Sequence, residues 1–371
     1  MTPRNEKKIG YREVAKTVRG WIIQGRYPAE STLPTRMEIE EFFGVSRVTI
    51  QRAMNLLQED GFIRMAGRRA TYVESLPPHI FKYALVFKQR PSEQHILWSR
   101  FLQLLDSQSN IISSTSKKTI QIFYGIDDKE KDSKSYNDLL SGIDNQRFAG
   151  VIFAGNIGTD VHRDAAKRAG VPSIVIPSPS GVSLDNQGFA QRSVEYLSQQ
   201  GCRTVALLTN AYQKDTVNAI SMELEKVGVK TQRYWNQQVD LHTPYCATNL
   251  IELMMNNKQS ERPDGLIITD DNLVEPALNG IYAAGINLKT ELKVVAHCNF
   301  PRSMDSTGLI TWLGYDIQQV LFSTLSAVDK KRNGEKIEPI LIPALFEHEL
   351  NRQQELKTNS FQTLVPEPMT V

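Results

Sequence analysis

Residues 33–61, LPTRMEIEEFFGVSRVTIQRAMNLLQEDG, leave the chain little choice of local fold. Two helix-length patterns follow each other with almost nothing between them, which predicts two short helices crossing at a tight turn. Thr35 with Glu38 three residues on is a capping box. The hydroxyl accepts from an otherwise unpaired backbone N–H and the carboxylate reaches back to the N–H of the cap. Ile39, Phe42 and Phe43 form the expected apolar face of the first helix, and Gly44 ends it, because glycine enters the left-handed conformation without steric cost. Ser46 caps a second helix at once; Ile50, Ala53, Met54 and Leu57 recur at the spacing of one buried side until Gly61 stops it. Opposite that side lie Arg47, Thr49, Gln51 and Arg52.

Such a polar face suits the second helix of a helix-turn-helix, since short polar groups and guanidinium forks at its first turns reach phosphates and base edges in a major groove. A helix pair alone is as often a plain packing unit, so the flanks decide. Upstream, Tyr11 to Gln24 places Val14, Val18, Trp21 and Ile22 on one side and ends near Gly25 and Pro28, a first helix covering the other two. Downstream, FIRMAGRRATYV (62–73) reads as a β-hairpin whose Gly67 turn carries Arg68 and Arg69. Three helices and a basic hairpin make a winged helix.

The stretch 9–74 resembles the gluconate-repressor (GntR) family of bacterial transcription factors. The motifs that carry the likeness are Ile23–Gly25 before the Pro28 turn, Leu33-Pro34-Thr35, Phe43-Gly44-Val45-Ser46-Arg47, Thr49, Ala53, Leu57, Asp60-Gly61 and Thr71-Tyr72-Val73. It implies DNA contacts from Arg36, Ser46, Arg47, Thr49, Gln51, Arg52, Arg68 and Arg69. Two positions depart from the family pattern. Arg36-Met37 stands where a Glu-Arg pair is usual, so that either Arg36 supplies that contact or the contact is lost, and the wing tip reads Arg68-Arg69-Ala70-Thr71 in place of Gly-Arg-Gly-Thr. The added charge favours phosphate or minor-groove contact.

At 371 residues the chain is long enough for two or three domains. Its net charge of +2 says little about partners, but residues 1–75 hold 13 Lys/Arg against 9 Asp/Glu, so the positive excess sits where phosphates are expected. Cys202, Cys246 and Cys298 are odd in number and widely spaced, as small buried hydrophobes of a reducing cytosol are. No apolar run has membrane-span length, and the polar start MTPRNEKK is no secretory signal, so a cytoplasmic protein is expected.

Residues 75–81, SLPPHIF, read as a proline-rich linker. Beyond them strand-length apolar runs alternate with helix-length segments: 82–88, 119–125, 148–155, 171–177 and 204–209, then 233–239, 265–269 and 293–297. The helices between are expected over 96–106, through Ala169, over 186–200, 214–227 and 245–257, and through Ala284. Such alternation means parallel sheets with helices on both faces, and its repetition predicts two lobes over 82–349. The fold class expected is therefore α/β: a winged helix-turn-helix at 1–74, the linker, a two-lobed domain, and a polar tail, 350–371, lying loose on the surface.

The two-lobed part resembles the lactose-repressor-like effector domains, which share the periplasmic sugar-binding fold. The likeness rests on Phe148-Ala149-Gly150-Val151-Ile152, Ala169-Gly170-Val171-Pro172, Val182 with Asp185-Asn186-Gln187-Gly188, Gly201-Cys202-Arg203, Pro263-Asp264-Gly265, Asp270-Asp271 and Ala284-Gly285-Ile286. A GntR-type reader joined to such a sensor resembles the arabinose-repressor type of regulator. Ligands of open α/β sheets bind beyond the carboxyl ends of the strands. The effector candidates are therefore His95, Asp270, Asp271, Asn299, Trp312 and Tyr315, from the segments 89–95, 155–156, 270–271, 297–299 and 312–316, with Ser178 and Trp98 beside them. Carboxylates and amides would hold hydroxyls, and an aromatic ring would stack on a sugar. For each, the bland alternative is a loop residue capping a helix. Two sugar anchors usual in the family are replaced, one by Thr216 or Asn218, the other by Ala296-His297-Cys298-Asn299. A differently substituted sugar, another small metabolite or no effector at all fits that departure.

An enzyme is the weaker reading. Asp270-Asp271 could be read as a carboxylate pair, but chain neighbours of that kind are more often a solvated turn, and acid and base roles need mutual geometry; the six histidines show no HxxxH or HExxH spacing, and no GxxxxGK[ST] or GxGxxG follows a strand. No catalytic residue, cofactor or metal site is expected. The expectation is a homodimeric, effector-controlled regulator, acting on a double-stranded DNA operator. Its rival is a ligand-independent regulator whose α/β domain only dimerises or binds proteins.

Overall fold

The computed structural model of the chain describes residues 9–66, 70–88, 90–91, 100–155, 159–211, 213–302 and 308–362. The chain divides into two compact units, one of 1–88, 110–176 and 326–337, the other of 89–109, 177–325 and 338–371.

The first unit begins with helices α1 (Tyr11–Ile23), α2 (Arg36–Phe43) and α3 (Arg47–Glu59) and the antiparallel hairpin β1 (Ile63–Ala66) and β2 (Ala70–Val73). The Thr35–Glu38 capping box is present in both directions, and Gly44 sits at φ 61°, so its N–H closes α2 on the Glu40 carbonyl. Val14, Val18, Ile39, Ile50, Met54, Leu57 and Phe62 fill the core of this part. Phe42 differs from expectation. It is 62% exposed and meets Trp21 edge-on at 5.2 Å and Phe43 at 4.9 Å. A two-turn helix crossing a longer one seats few residues in the groove, and here Ile39 takes that place.

The expected linker is a folded joint. Pro77 and Pro78 are buried, Pro78–Phe81 form a helical turn, α4, and the chain enters strand β3 (Lys82–Phe87) without a break. The His79 ring stacks on Phe62 at 5.6 Å. Beside them Arg19 of α1 donates to Asp60 at 2.6 Å, with side chains only 2% and 5% exposed, and Arg147, between α6 (Lys134–Asp144) and β5 (Gly150–Ala154), brings its Nε to 3.5 Å from the other oxygen of Asp60. The Arg19 guanidinium also lies 5.2 Å over Phe62. Burial pushes the Asp60 carboxyl up and the Arg19 guanidinium down, each against the pull of the other. The same burial, with the charge of Arg332, lowers His79 to about 4.

The sheet of this unit is parallel, in the order β4 (Thr119–Phe123), β3, β5, β6 (Ser173–Ile176). In β3 every residue from Tyr83 to Phe87 is buried, the mark of a strand covered on both faces. Helices α6 and α7 (Asp160–Ala169) pack on it through Tyr136, Leu139, Ile143, Ala165 and Ala166, and α5 (Arg100–Thr115) leads into β4. Gly150 is required in β5: a Cβ there would meet Val328 at 2.1 Å and the Pro172 carbonyl at 3.1 Å.

The second unit contains β7 (Val182–Leu184), α8 (Asn186–Gln199), β8 (Val205–Asn210), α9 (Lys214–Lys226), β9 (Asn236–Val239), α10 (Cys246–Met255), β10 (Gly265–Ile268), α11 (Val274–Ala283), β11 (Lys293–Phe300) and β12 (Ile310–Asp316). Helix α12 (Ile317–Arg332), strands β13 (Ile340–Ile342) and β14 (Leu345–Phe346) and helix α13 (Glu347–Gln362) follow. Its main sheet runs β14-β12-β11-β10-β8-β9, parallel except for β14, while β13 pairs with β7. In each sheet the first strand lies between the second and third, so the strand order reverses beside β3 and beside β8, and ligand crevices open at such points.

Three expectations are corrected here. Residues 312–316, read as a loop beyond a strand, are the body of β12, whose pairing with β11 runs from Val294 with Ile310 to Phe300 with Asp316. Of 233–239 only the last four residues are strand, after a 3-10 turn at Arg233–Trp235. The tail is helical as far as Gln362, anchored by buried Leu350 and by Glu349, which accepts from Arg192 at 2.6 Å.

Arg19→Met is expected to lower stability by about 3–5 kcal/mol in urea denaturation, because it leaves the buried Asp60 carboxylate with only the partly exposed Arg147, at 3.5 Å, and no hydrogen-bonded cation. A loss under about 1 kcal/mol would show that Arg147 alone suffices. A second expectation concerns pH. His79 titrates near 4 folded and near 6.5 when unfolded, so between those values the unfolded chain holds a proton that the folded one lacks. Stability therefore falls as pH drops from about 6.5 to about 4, and His79→Phe, which keeps the stack on Phe62, flattens that slope.

Candidate nucleic-acid interface and effector cavity

Helix α3 is held at its first turn. Ser46 accepts from the Thr49 N–H at 3.3 Å and its hydroxyl meets the Thr49 hydroxyl at 3.0 Å. With its inner face fixed by Ile50, Ala53, Met54 and Leu57, the outer face presents Arg47 and Arg52 to solvent, and among the described residues neither has an ion-pair partner. Thr49 and Gln51 are half-buried, and Gln51 spends its amide on Asn55 at 2.7 Å. Arg36, at the start of α2, leans across to the hairpin, its Nη2 3.4 Å from the Met65 sulfur. Arg68 and Arg69 lie outside the described residues. The sequence reading passed over Val48, 61% exposed beside Arg47 and shaped for contact with a thymine methyl. Its place on the helix, one step from Arg47, was the available signal.

In the second unit the ends of β10 and β11 and the first turns of α5 enclose a cavity of about 260 Å³. Asp271, Asn299 and Trp312 line it together with Arg100, Gln103, Leu104, Ser107, Cys298, Pro301 and Arg302. Asp271 is 3% exposed, and one of its oxygens accepts from both the backbone N–H of Asn299, at 3.0 Å, and the Asn299 side-chain amide, at 2.9 Å. Burial drives its carboxyl above the ordinary range, with His297 and the two Asn299 donors pulling the other way. One face of Trp312 is covered by the Arg302 guanidinium at 5.0 Å, and Arg302 donates to Glu347 at 2.8 Å. Asn272 ties the site together by accepting from the backbone N–H of Arg100 at 3.3 Å while its own amide donates to Asp270.

The remaining candidates are elsewhere. Asp270 stands where the strand order reverses but is spent on Asn210, at 3.0 Å, and on the turn at Asn272. It does not line the cavity. Tyr315 is 1% exposed, donates to Asn186 at 3.1 Å and packs against His297, inside the protein and not on the cavity wall. Ser178 bonds Ser180 in a surface turn. His95, Trp98 and Asn156 lie outside the described residues. Arg100, Gln103 and Ser107 were missed, although their spacing marks one polar side of α5 opposite the apolar residues that drew attention. Among the described residues no group of three or more His, Cys, Asp or Glu is placed to hold a metal, and no helix is long and apolar enough to cross a membrane.

Residues 10–73 match the model of the bacterial regulatory proteins of the gntR family. Among curated proteins, the mannosyl-D-glycerate transport/metabolism system repressor MngR of Escherichia coli (strain K12) is 32% identical over 88 residues, 23% of this chain and 36% of that protein. Catabolite control protein A of Staphylococcus epidermidis is 21% identical over 178 residues, 46% of this chain and 53% of its own length. The chain thus spans about half or less of the curated relatives it matches. Among solved structures, a putative LacI transcriptional regulator from Bacillus cereus subsp. cytotoxis superposes with a TM-score of 0.56 at 17% identity, covering 72% of this chain and 96% of its own. The chain carries a GntR-type helix-turn-helix followed by a domain of the LacI-type fold.

Proposed function

We propose that this chain is a transcriptional regulator whose reader, residues 9–74, binds an operator in double-stranded DNA, and whose two-lobed domain adjusts that binding in response to a small hydroxylated effector. The observation that carries this reading is the capped helix α3, with Arg47 and Arg52 exposed and without an ion-pair partner among the described residues, inside the segment matching the gntR family. Arg47 and Arg52 contact phosphates or guanine edges, Ser46 and Thr49 the backbone at the helix start, Gln51 a base edge, and Arg36, Arg68 and Arg69 the flanking phosphates and minor groove. The chain works as a homodimer in the cytoplasm, reading two half-sites about one helical turn or a small multiple apart. Asp271, Asn299 and the cavity they line belong to the effector site. The effector shifts operator affinity only as far as its affinities for the two states of the protein differ.

Two outcomes test this. Arg47→Ala weakens operator binding in gel-shift titrations and flattens the salt dependence by about one phosphate contact; an unchanged slope removes Arg47 from the phosphate contacts. Asp271→Ala abolishes the thermal shift produced by an effector and leaves operator affinity intact. Equal loss of both points instead to a misfolded variant, and a wild type that no sugar or metabolite stabilises favours a regulator without ligand.

A further inference from the structure

We propose that the cavity bounded by Arg100, Asp271, Asn299 and Arg302 takes a polyhydroxylated acid, a sugar bearing a carboxylate or a phosphate, in preference to the neutral sugar. This deepens the effector reading above and rests on it.

The polar inventory of the walls supports both halves of that description. Its charged members are two guanidinium groups and one carboxylate. Asp271 is withdrawn from the exchange, since it is almost wholly buried and already accepts two hydrogen bonds from Asn299. Arg302 is partly neutralised by Glu347 and flattened on Trp312. Arg100 is different: its backbone N–H is used by Asn272, but among the described residues its guanidinium has no hydrogen-bond or ion-pair partner. A guanidinium on a half-enclosed wall matches a planar carboxylate or a phosphate by two parallel N–H donors.

The hydroxylated half follows from Asn299. Its amide nitrogen must face Asp271, because a carboxylate can only accept, and that fixes the orientation of the group. The carbonyl oxygen Oδ1 is then left buried with no partner among the described residues, in a residue 6% exposed. A buried acceptor of that kind costs about 1–3 kcal/mol unless a donor meets it. A hydroxyl supplies one. With a volume of about 260 Å³, below the roughly 300–1,000 Å³ of drug-sized pockets, the cavity suits a single ring more than a disaccharide.

The test is a thermal-shift screen of the full chain against matched triplets: D-glucose, D-glucuronate and D-glucose 6-phosphate; D-galactose, D-galacturonate and D-galactose 6-phosphate; and L-arabinose with L-arabinonate and L-arabinose 5-phosphate. Hits are then titrated by calorimetry. At least one charged member is expected to stabilise the protein with its neutral parent far weaker, and whether it is the carboxylate or the phosphate identifies the acid. Arg100→Gln should weaken that hit roughly 10- to 100-fold, while Arg100→Lys, which keeps the charge but not the fork, weakens it less. Neutral sugars binding as well as their acids would overturn the proposal and leave the sensor reading standing. Silence from every member would remove both. A charged hit that binds Arg100→Gln as tightly as wild type, with circular dichroism unchanged, would also overturn it.

Discussion

One buried carboxylate, Asp60, settles how the helix-turn-helix part meets the rest of the first unit. It ends α3, and its two oxygens face Arg19 from the first helix and Arg147 from the sheet domain. Arg19 and Asp60 are both buried while Arg147 keeps one-third of its side chain exposed, so removing Asp60 would leave the Arg19 guanidinium buried without its counter-charge. The cost of desolvating Arg19 and Asp60 is recovered only while the two face each other. A change in the loop bearing Arg147 therefore reaches the end of α3 through a few covalent and ionic steps. The Phe62–His79 stack closes the same corner from the other side.

Much of this was legible because local rules sufficed. The capping box, the left-handed glycine and the second cap each depend on residues within four positions of one another, and all three occur where the pattern places them. The buried strands of both sheets were equally visible, since strands covered on two faces read as unbroken apolar runs. Strand β12 was not, because Gly314 and Asp316 break up its run and its order comes from pairing with β11 along seven residues. Helix α13 was hidden for a related reason. Its composition is polar, and the contacts that hold it, Leu350 and the Arg192–Glu349 pair, join residues far apart in sequence.

The candidate cavity shows the same division. Asp271 follows β10, where fold-level reasoning directs attention, while Asn299, expected in the loop beyond a strand, is the next-to-last residue of β11; the two do lie side by side. Trp312 and Tyr315 were chosen as exposed rings in a loop, yet a strand buries both, and Arg302 covers the indole that was meant for a sugar. Arg100 was overlooked because the apolar stripe of α5 announces packing, while the opposite stripe becomes informative only once a cavity is seen beside it. Side-chain identity gave the chemistry of the wall, and topology alone decided which side chains share it.

The turn between α2 and α3 has three residues, and each is committed: Gly44 to its left-handed geometry, Val45 to the core, Ser46 to the cap. No spare length exists for an insertion or deletion that would re-aim the recognition helix. Divergence among descendants of such a protein must then proceed by exchanging the outward side chains at positions 47, 48, 51 and 52, on a frame whose pitch stays constant. A library built at those four positions would leave the buried core of Val14, Val18, Ile50, Met54 and Leu57 untouched.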